Sequence, residues 1–253
     1  MKRPVDRIPL SITFSLIAWC FLTPLNAWPA DPTDSPRSDT ALEQIIEQYI
    51  RTHPEVIEQS LQALENKRTA EEQQRQKTAL ATHQHELLND PDSPVSGNSA
   101  GDVTVIEFFD YRCGYCKRAA SALTQLQHND AGVRVVYKDF PILGETSELA
   151  AKAALASHLQ GKHQAFHEAL LAVKDDLSKE QLFRVAAAAG LDIERLDRDI
   201  NRPEWQTVID KNRMLAKTLG ISGTPAFIVG NELVPGALDL KMLEDLVAQT
   251  RRR

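Results

Sequence analysis

Cysteine is nearly missing from this sequence. Its 253 residues hold three, and two of them share one motif, Cys113-Gly114-Tyr115-Cys116. With no second CxxC, and no histidine pair at zinc-finger spacing behind the first, a structural zinc site lacks half its ligands, and no resident metal or other cofactor is expected. Positive charge is short as well. The 29 Lys and Arg against 35 Asp and Glu give a formal net charge of −6, which leaves no electrostatic footprint for nucleic acid. No internal repeat is visible. From Glu65 to Thr78, "ENKRTAEEQQRQKT" contains no large apolar residue, so a helix there has no face with which to enter a core.

The one long apolar run stands at the N terminus. "MKRPVDR" is a basic start, "IPLSITFSLIAWCFLTPL" an apolar centre and "NAWPA" a small-residue cleavage region, so residues 1–30 read as a secretory signal peptide cut after Ala27 or Ala30. An uncleaved membrane anchor is the alternative, against which Pro9, Pro24, Ser11, Thr13, Ser15 and Thr23 weigh. Trp19 directly before Cys20 speaks against lipidation at that cysteine. The exported chain then keeps only Cys113 and Cys116, in a compartment where disulfides persist, and that favours redox chemistry.

Residues 31–39, "DPTDSPRSD", read as a flexible leader, and residues 31–90 together as leader plus helical arm. Leu42, Ile45, Ile46, Tyr49 and Ile50 form one helix face. Thr52-His53-Pro54-Glu55 reads as a capping box opening a second helix, where Val56, Ile57, Leu61 and Leu64 continue the stripe. An amphipathic segment leading into a polar one needs something to bury it: a second copy of the chain, in a dimer or trimer, or the same chain's globular part. That part is expected over 91–253, after a loop-rich approach. Strands at 103–109 and 133–140 flank a helix from about Cys113 to Gln127, a βαβ unit with a parallel pair. A helical stretch over about 145–220 follows, with a capping box at Ser178-Lys179-Glu180-Gln181 and a stop at Gly190. A hairpin around Gly230-Asn231 and a last helix from about Asp239 to Gln249 close an α/β domain of order βαβ, helical block, ββα. The terminal "RRR" reads as a frayed end.

At the first turn of its helix, Cys113 faces unpaired backbone N–H groups and the positive end of the helix dipole, which favours its thiolate. Cys116 lies one turn deeper on the same face, within disulfide reach. This makes Cys113 the exposed attacker and Cys116 the shielded resolver, with Gly114 and Tyr115 setting how strongly the thiolate is favoured. Strand alternation puts Glu107 on the face of Val103, Val105 and Phe109, where burial would raise its carboxyl and let it exchange protons with Cys116; a strand-end glutamate turned to solvent is the other reading. Lys138 either pairs with Glu107 through water or is solvated. Pro225 after Thr224 is either cis or a trans proline opening a strand. His163 and His167 at i, i+4 could chelate, but with His158 they read as exposed or hydrogen-bonded helix residues. Trp205 and Tyr111 read as packing residues, and Tyr111 and Tyr115 lie close enough to the thiols to touch a substrate.

"EFFDYRCGYCK", the βαβ unit, the helical block and "GISGTPAFIVGNELVPG" together resemble the DsbA-type thioredoxin-like thiol:disulfide oxidoreductases of the bacterial periplasm, over roughly residues 40–250. Within that family the chain most resembles the suppressor-of-copper-sensitivity protein C branch, which carries helical N-terminal extensions for oligomerisation. The resemblance implies a thioredoxin fold with a helical insertion and an N-terminal arm. It also implies a cis Pro225 beside the CxxC, with the Thr224 backbone pairing to an extended substrate. Cys113 carries over as nucleophile, Cys116 as resolving cysteine and Glu107 as buried acid. Strongly oxidising members have Pro-His between the cysteines; Gly114-Tyr115 lacks that histidine, which leans toward isomerase or reductase. The implied partners are exported proteins with cysteines and a membrane redox protein. A monomeric dithiol oxidase, or a helical scaffold or holdase whose CxxC captures metal, are the rival expectations.

Overall fold

The computed structural model describes residues 37–174 and 177–252. The expected signal peptide lies outside them. No helix among the described residues is long and apolar enough to cross a membrane. The chain divides into two units, the first ending at Leu61 and the second beginning at Gln62.

In the first unit, α1 (Arg37–Thr52) begins inside the stretch expected to be a leader. Its stripe is bare: Leu42, Ile45, Ile46, Tyr49 and Ile50 are all exposed, as are Ile57 and Leu61 on α2 (Glu55–Thr82). The break falls at His53-Pro54, because proline has no N–H and disfavours helix in the residue before it. Thr52 does not cap α2. Its hydroxyl donates back to the carbonyls of Gln48 (2.9 Å) and Tyr49 (3.2 Å) and so closes α1. The polar stretch of α2 is helical throughout, and its last turns reach apolar surroundings at Leu80.

The second unit adds α3 (Gln84–Leu88), β1 (Val95–Gly97), β2 (Val103–Phe109), α4 (Gly114–Asn129) and β3 (Val133–Asp139). The helical block is α5 (Glu145–Ser157), a 3-10 turn at His158–Gln160, α6 (His163–Ala172), α7 (Lys179–Ala188), α8 (Ile193–Asp199) and α9 (Pro203–Thr218). β4 (Ala226–Val229), β5 (Glu232–Pro235) and α10 (Leu240–Arg251) close the fold. Ser178 caps α7 by accepting the Gln181 N–H (3.2 Å), as its sequence predicts, and Asp239 caps α10 through Met242 N–H (2.9 Å). The β4–β5 turn needs Gly230: its φ is +60°, and a Cβ would stand 3.0 Å from the Thr250 side chain.

The strand order is β1-β3-β2-β4-β5. β2 and β3 run parallel, with Glu107 opposite Tyr137 and Phe109 opposite Asp139; β1–β3, β2–β4 and β4–β5 are antiparallel. Central strands covered on both faces must be apolar nearly throughout, which is why β2 reads VTVIEFF. One face packs Val103, Val105, Phe109, Val135 and Phe227 against α4, α10 and the helical block. The other packs Ile106, Phe108, Val136 and Ile228 against Leu80, Leu87, Leu215 and Leu219.

Three further readings of the sequence need correcting. The loop-rich approach to residue 103 contains α3 and the edge strand β1, which is only three residues long. Lys138 neither meets Glu107 nor reaches solvent: it lies beside Phe108 in register, on the opposite face from Glu107. Its buried ammonium donates to Asp90 Oδ2 and to the Glu86 carbonyl, both at 2.8 Å. Arg251 is not frayed; it donates to Asp102 (2.7 Å) and Asp130 (3.0 Å), tying α10 to the loops flanking β2 and β3.

Candidate active site

β2 ends at Phe109 and the chain turns once before α4, and the turn is made by Asp110. Its carbonyl accepts the Cys113 N–H (3.0 Å) and its Oδ1 accepts the Arg112 N–H (2.8 Å), an Asx-type turn that delivers Cys113 to the N-cap of α4. At an N-cap the following N–H groups have no helical partner, and the sulfur stands at the positive end of the dipole. Cys113 is not exposed as expected but buried, with 7% of the residue's surface open, because its thiol is turned inward to donate to the Thr224 carbonyl at 3.3 Å. Both cysteines are free thiols here.

Cys116 has no exposed surface. Burial raises its thiol far above the ordinary value, and the Glu107 charge pushes the same way. Glu107 is likewise fully buried and neither of its carboxyl oxygens has a partner. Burial, then the charge on Cys113, raise its carboxyl to about 8. A protonated Glu107 beneath a protonated Cys116 is therefore the neutral resting arrangement at neutral pH, and charge on either group disfavours charge on the other. A cavity of about 220 Å³ runs from Glu107, Tyr137 and His167 to Lys117 and the exposed Thr124 and Glu168, giving the acid a route to solvent between α4 and α6.

Thr224-Pro225 is a cis peptide bond, and the Pro225 carbonyl accepts the Gly236 N–H (2.8 Å). The carbonyl of Thr224 is thus turned to the Cys113 sulfur while Pro225 is buried. Of the two residues between the cysteines, Gly114 is open to solvent, a Cβ there meeting only the Arg118 guanidinium at 3.9 Å. Tyr115 is 60% exposed, with the Arg118 guanidinium 4.1 Å from its ring centre, a cation–π contact that steadies an aromatic side chain at the mouth of the site.

Glu107, Cys113, Gly114, Tyr115, Cys116, Thr224 and Pro225 thus converge where β2, α4 and β4 meet. Tyr111 does not face a substrate: it is 1% exposed and its hydroxyl bonds to His167 Nδ1 at 2.9 Å. His163 and His167 are buried with Phe109 and Tyr137 in a ring cluster, and burial holds His163 down at about 3 and His167 well below the ordinary value. His158 is exposed. Among the described residues no group of three or more His, Cys, Asp or Glu is arranged to hold a metal ion.

Two carboxyls escaped the sequence reading. Besides its turn contacts, Asp110 accepts the N–H groups of Ile142 (2.8 Å) and Leu143 (3.0 Å) through Oδ2. Asp139, at the end of β3, is 1% exposed with neither oxygen partnered, and burial followed by the Asp110 charge raises it to about 8. The only sequence signal was an acidic residue closing each of two apolar strands.

A cysteine pair opening the helix after the first parallel strand, with a cis-proline loop across from it, defines a thioredoxin-like protein. The chain belongs to the DSBA-like thioredoxin domain family, which matches residues 104–248, and residues 40–71 match the copper resistance protein ScsC N-terminal domain. A thioredoxin-like oxidoreductase from Silicibacter pomeroyi is 46% identical, with a TM-score of 0.65, over 67% of this chain and 98% of that one. The thiol-disulfide exchange protein alpha-DsbA2 from Wolbachia pipientis is 32% identical (TM-score 0.66; 70% and 96% covered). The catalytic domain of Proteus mirabilis ScsC is 28% identical (TM-score 0.65; 70% and 99% covered). Curated relatives include a Na(+)/H(+) antiporter, NhaA 3, of Salinispora tropica, 31% identical over 161 residues. That match takes in 62% of this chain but only 25% of the antiporter, so the chain spans about a quarter of the curated relatives it matches.

Proposed function

We propose that this chain exchanges disulfides with exported, cysteine-containing proteins in the periplasm, as an isomerase or reductase acting in a homo-oligomer, and that a membrane redox protein resets its cysteine pair. The observation that carries the reading is the asymmetry of the thiols: Cys113 keeps a small opening (7%) beside the Thr224 carbonyl, whereas Cys116 has no exposed surface and feels the charge of the buried, unpartnered Glu107. The Cys113 thiolate attacks one sulfur of a client disulfide. The client S–S bond breaks, a Cys113–client disulfide forms, and the other client sulfur leaves as thiolate. That thiolate can attack a different client disulfide, and the client thiolate freed there then attacks the client sulfur of the mixed disulfide, so that Cys113 leaves as thiolate and the isomerisation ends with no net redox change. Alternatively Glu107 first releases its proton to solvent through the cavity and then takes the Cys116 proton, and Cys116 attacks the Cys113 sulfur; the client leaves reduced by two electrons and Cys113–Cys116 is oxidised. Thr224 offers its backbone, and Gly114 and Tyr115 their open surface, to the client segment beside the reacting sulfur.

The absence of histidine between the cysteines supports the isomerase or reductase direction, since no cationic neighbour there favours the reduced thiolate. The bare stripe of α1 and α2 supports the oligomer, and the signal-like N terminus with a lone cysteine pair supports the periplasm. The test is trapping. Mixed with a scrambled disulfide protein, Cys116→Ser is expected to accumulate a covalent client adduct and Cys113→Ser none on non-reducing gels; equal trapping by the two would sink the assigned roles.

A further inference from the structure

The helix that carries the cysteines goes against the usual electrostatics of a helix start. The first turn is the positive end of the dipole, so acidic side chains are favoured there and cations are not. The first turn of α4 has no acidic residue, and Lys117 and Arg118 follow Cys116 directly. Among the described residues neither cation makes an ion pair. In a chain with 29 Lys and Arg against 35 Asp and Glu, two such cations beside the reacting thiols reverse the overall charge locally.

The two cations serve different places. Lys117 lines the cavity that leads to Glu107. Arg118 is exposed and reaches back toward the helix N terminus, the direction in which helical side chains lean. Its guanidinium carbon stands 4.1 Å from the centre of the Tyr115 ring, and a Cβ on Gly114 would meet its Nη1 at 3.9 Å. Gly114 follows Cys113 in the chain, so these contacts set the cation beside the residue that bears the attacking sulfur. A guanidinium lying over a ring uses its face there and keeps its N–H edge, the fork that matches the two oxygens of a carboxylate. Among the described residues no oxygen accepts from that edge.

We propose that Arg118 is a specificity-determining residue of the exchange reaction: its guanidinium, held over Tyr115 beside Gly114, receives a carboxylate that neighbours the cysteine of a client polypeptide and disfavours clients with a cation there. This rests on the exchange reading given above. Residues adjacent to the client's cysteine lie only about 3.8 Å away along its backbone, so a client joined to Cys113 brings their side chains to the Gly114–Tyr115 surface. Charges more than about 8 Å apart are largely screened at physiological salt, so the cation at the contact outweighs the net negative charge of the rest of the chain.

The experiment uses the full chain, reduced, and three short synthetic peptides with one cysteine each, supplied as symmetric disulfides and differing only in the flanking residues: Glu, Gln or Lys. Attack by the Cys113 thiolate forms a Cys113–peptide disulfide and frees one peptide thiolate, whose appearance gives the rate. Each rate is divided by that of the same peptide disulfide with dithiothreitol, which removes the peptide's own reactivity. The unaltered chain is expected to favour the Glu peptide over the Gln peptide about threefold, and Gln over Lys by a similar factor, the scale of one exposed charge pair. High salt should erase the order. Arg118→Gln should bring the three rates together, and Arg118→Glu should reverse them. A role in holding Cys113 as thiolate would instead slow all three peptides equally. The parent's order kept in Arg118→Glu, equal losses on all three peptides, or an unaltered chain indifferent to the flanking charge would each overturn the proposal and leave the exchange reading standing. If the unaltered chain reacts with none of the peptides, both readings fall.

Discussion

Glu107 keeps its proton at a pH where an exposed carboxyl has lost it, and that has a cost that can be measured. Its carboxyl titrates near 8 in the fold against an ordinary 4.5, so between those values the folded chain holds a proton that the unfolded chain releases, and stability falls as pH rises through the window. Glu107→Gln removes the penalty. The variant should exceed the parent in stability by an amount that is absent below about pH 4.5, is on the order of 3 kcal/mol at pH 7 and levels off above pH 8; urea titrations along a pH series would show it. The same substitution should slow release of the Cys113–client disulfide, because Cys116 loses its proton acceptor. Glu107 was legible because a lone charge amid alternating apolar residues has a definite face. Lys138 was not, since its face could be counted but its partner, Asp90, lies 48 positions away. Asp110 was hidden for a related reason: its acceptors bind backbone amides 32 and 33 positions on, and an amide carries no side-chain signal.

Among the elements, those with a strong period declared themselves. β2, β3, α4, the β4–β5 hairpin and α10 stand within one or two residues of their expected places, because each is fixed by local chemistry: alternation, a cap, or a Gly-Asn turn. β1 and α3 were hidden because three and five residues are too few to show a period, and pairing with β3 decides β1. α1 and the start of α2 show the converse, a strong period with no cover inside their own unit. Each aliphatic side chain of that stripe would contribute about 1.5–3 kcal/mol on burial. Ile46→Asp combined with Tyr49→Asp is thus expected to weaken self-association by at least ~100-fold, read as a fall in mass by light scattering, while the cysteine pair still reacts with glutathione. A wild-type chain that stays monomeric at high concentration would remove the oligomer from the reading.

At the scale of the molecule, buried titratable groups of opposite kind oppose one another. Glu107 and Asp139, both raised to about 8, lose stability as pH climbs from the ordinary carboxylate range; His163, lowered to about 3, and His167, held well below its ordinary value by burial, gain it as pH climbs toward 6.5. Between about pH 4.5 and 6.5 these slopes cancel, and from about 6.5 to 8 only the carboxyls remain. Thermal midpoints are therefore expected to be level across the first interval and to fall across the second, and a continued rise through pH 8 would show that the acids are not buried as described. The domain's layers were legible as a whole from the order βαβ, helices, ββα. The second core was not, because it draws Leu80 and Leu87 from outside the stretch expected to fold as the domain. That rooting has a mechanical side. With Leu80 of α2 and Leu87 of α3 packed under the sheet and Asp90 accepting from Lys138 of β3, the C-terminal end of α2 is anchored in the core of its own unit. Any displacement of that last turn would be felt at β3, the neighbour of the strand whose end leads into the cysteine pair.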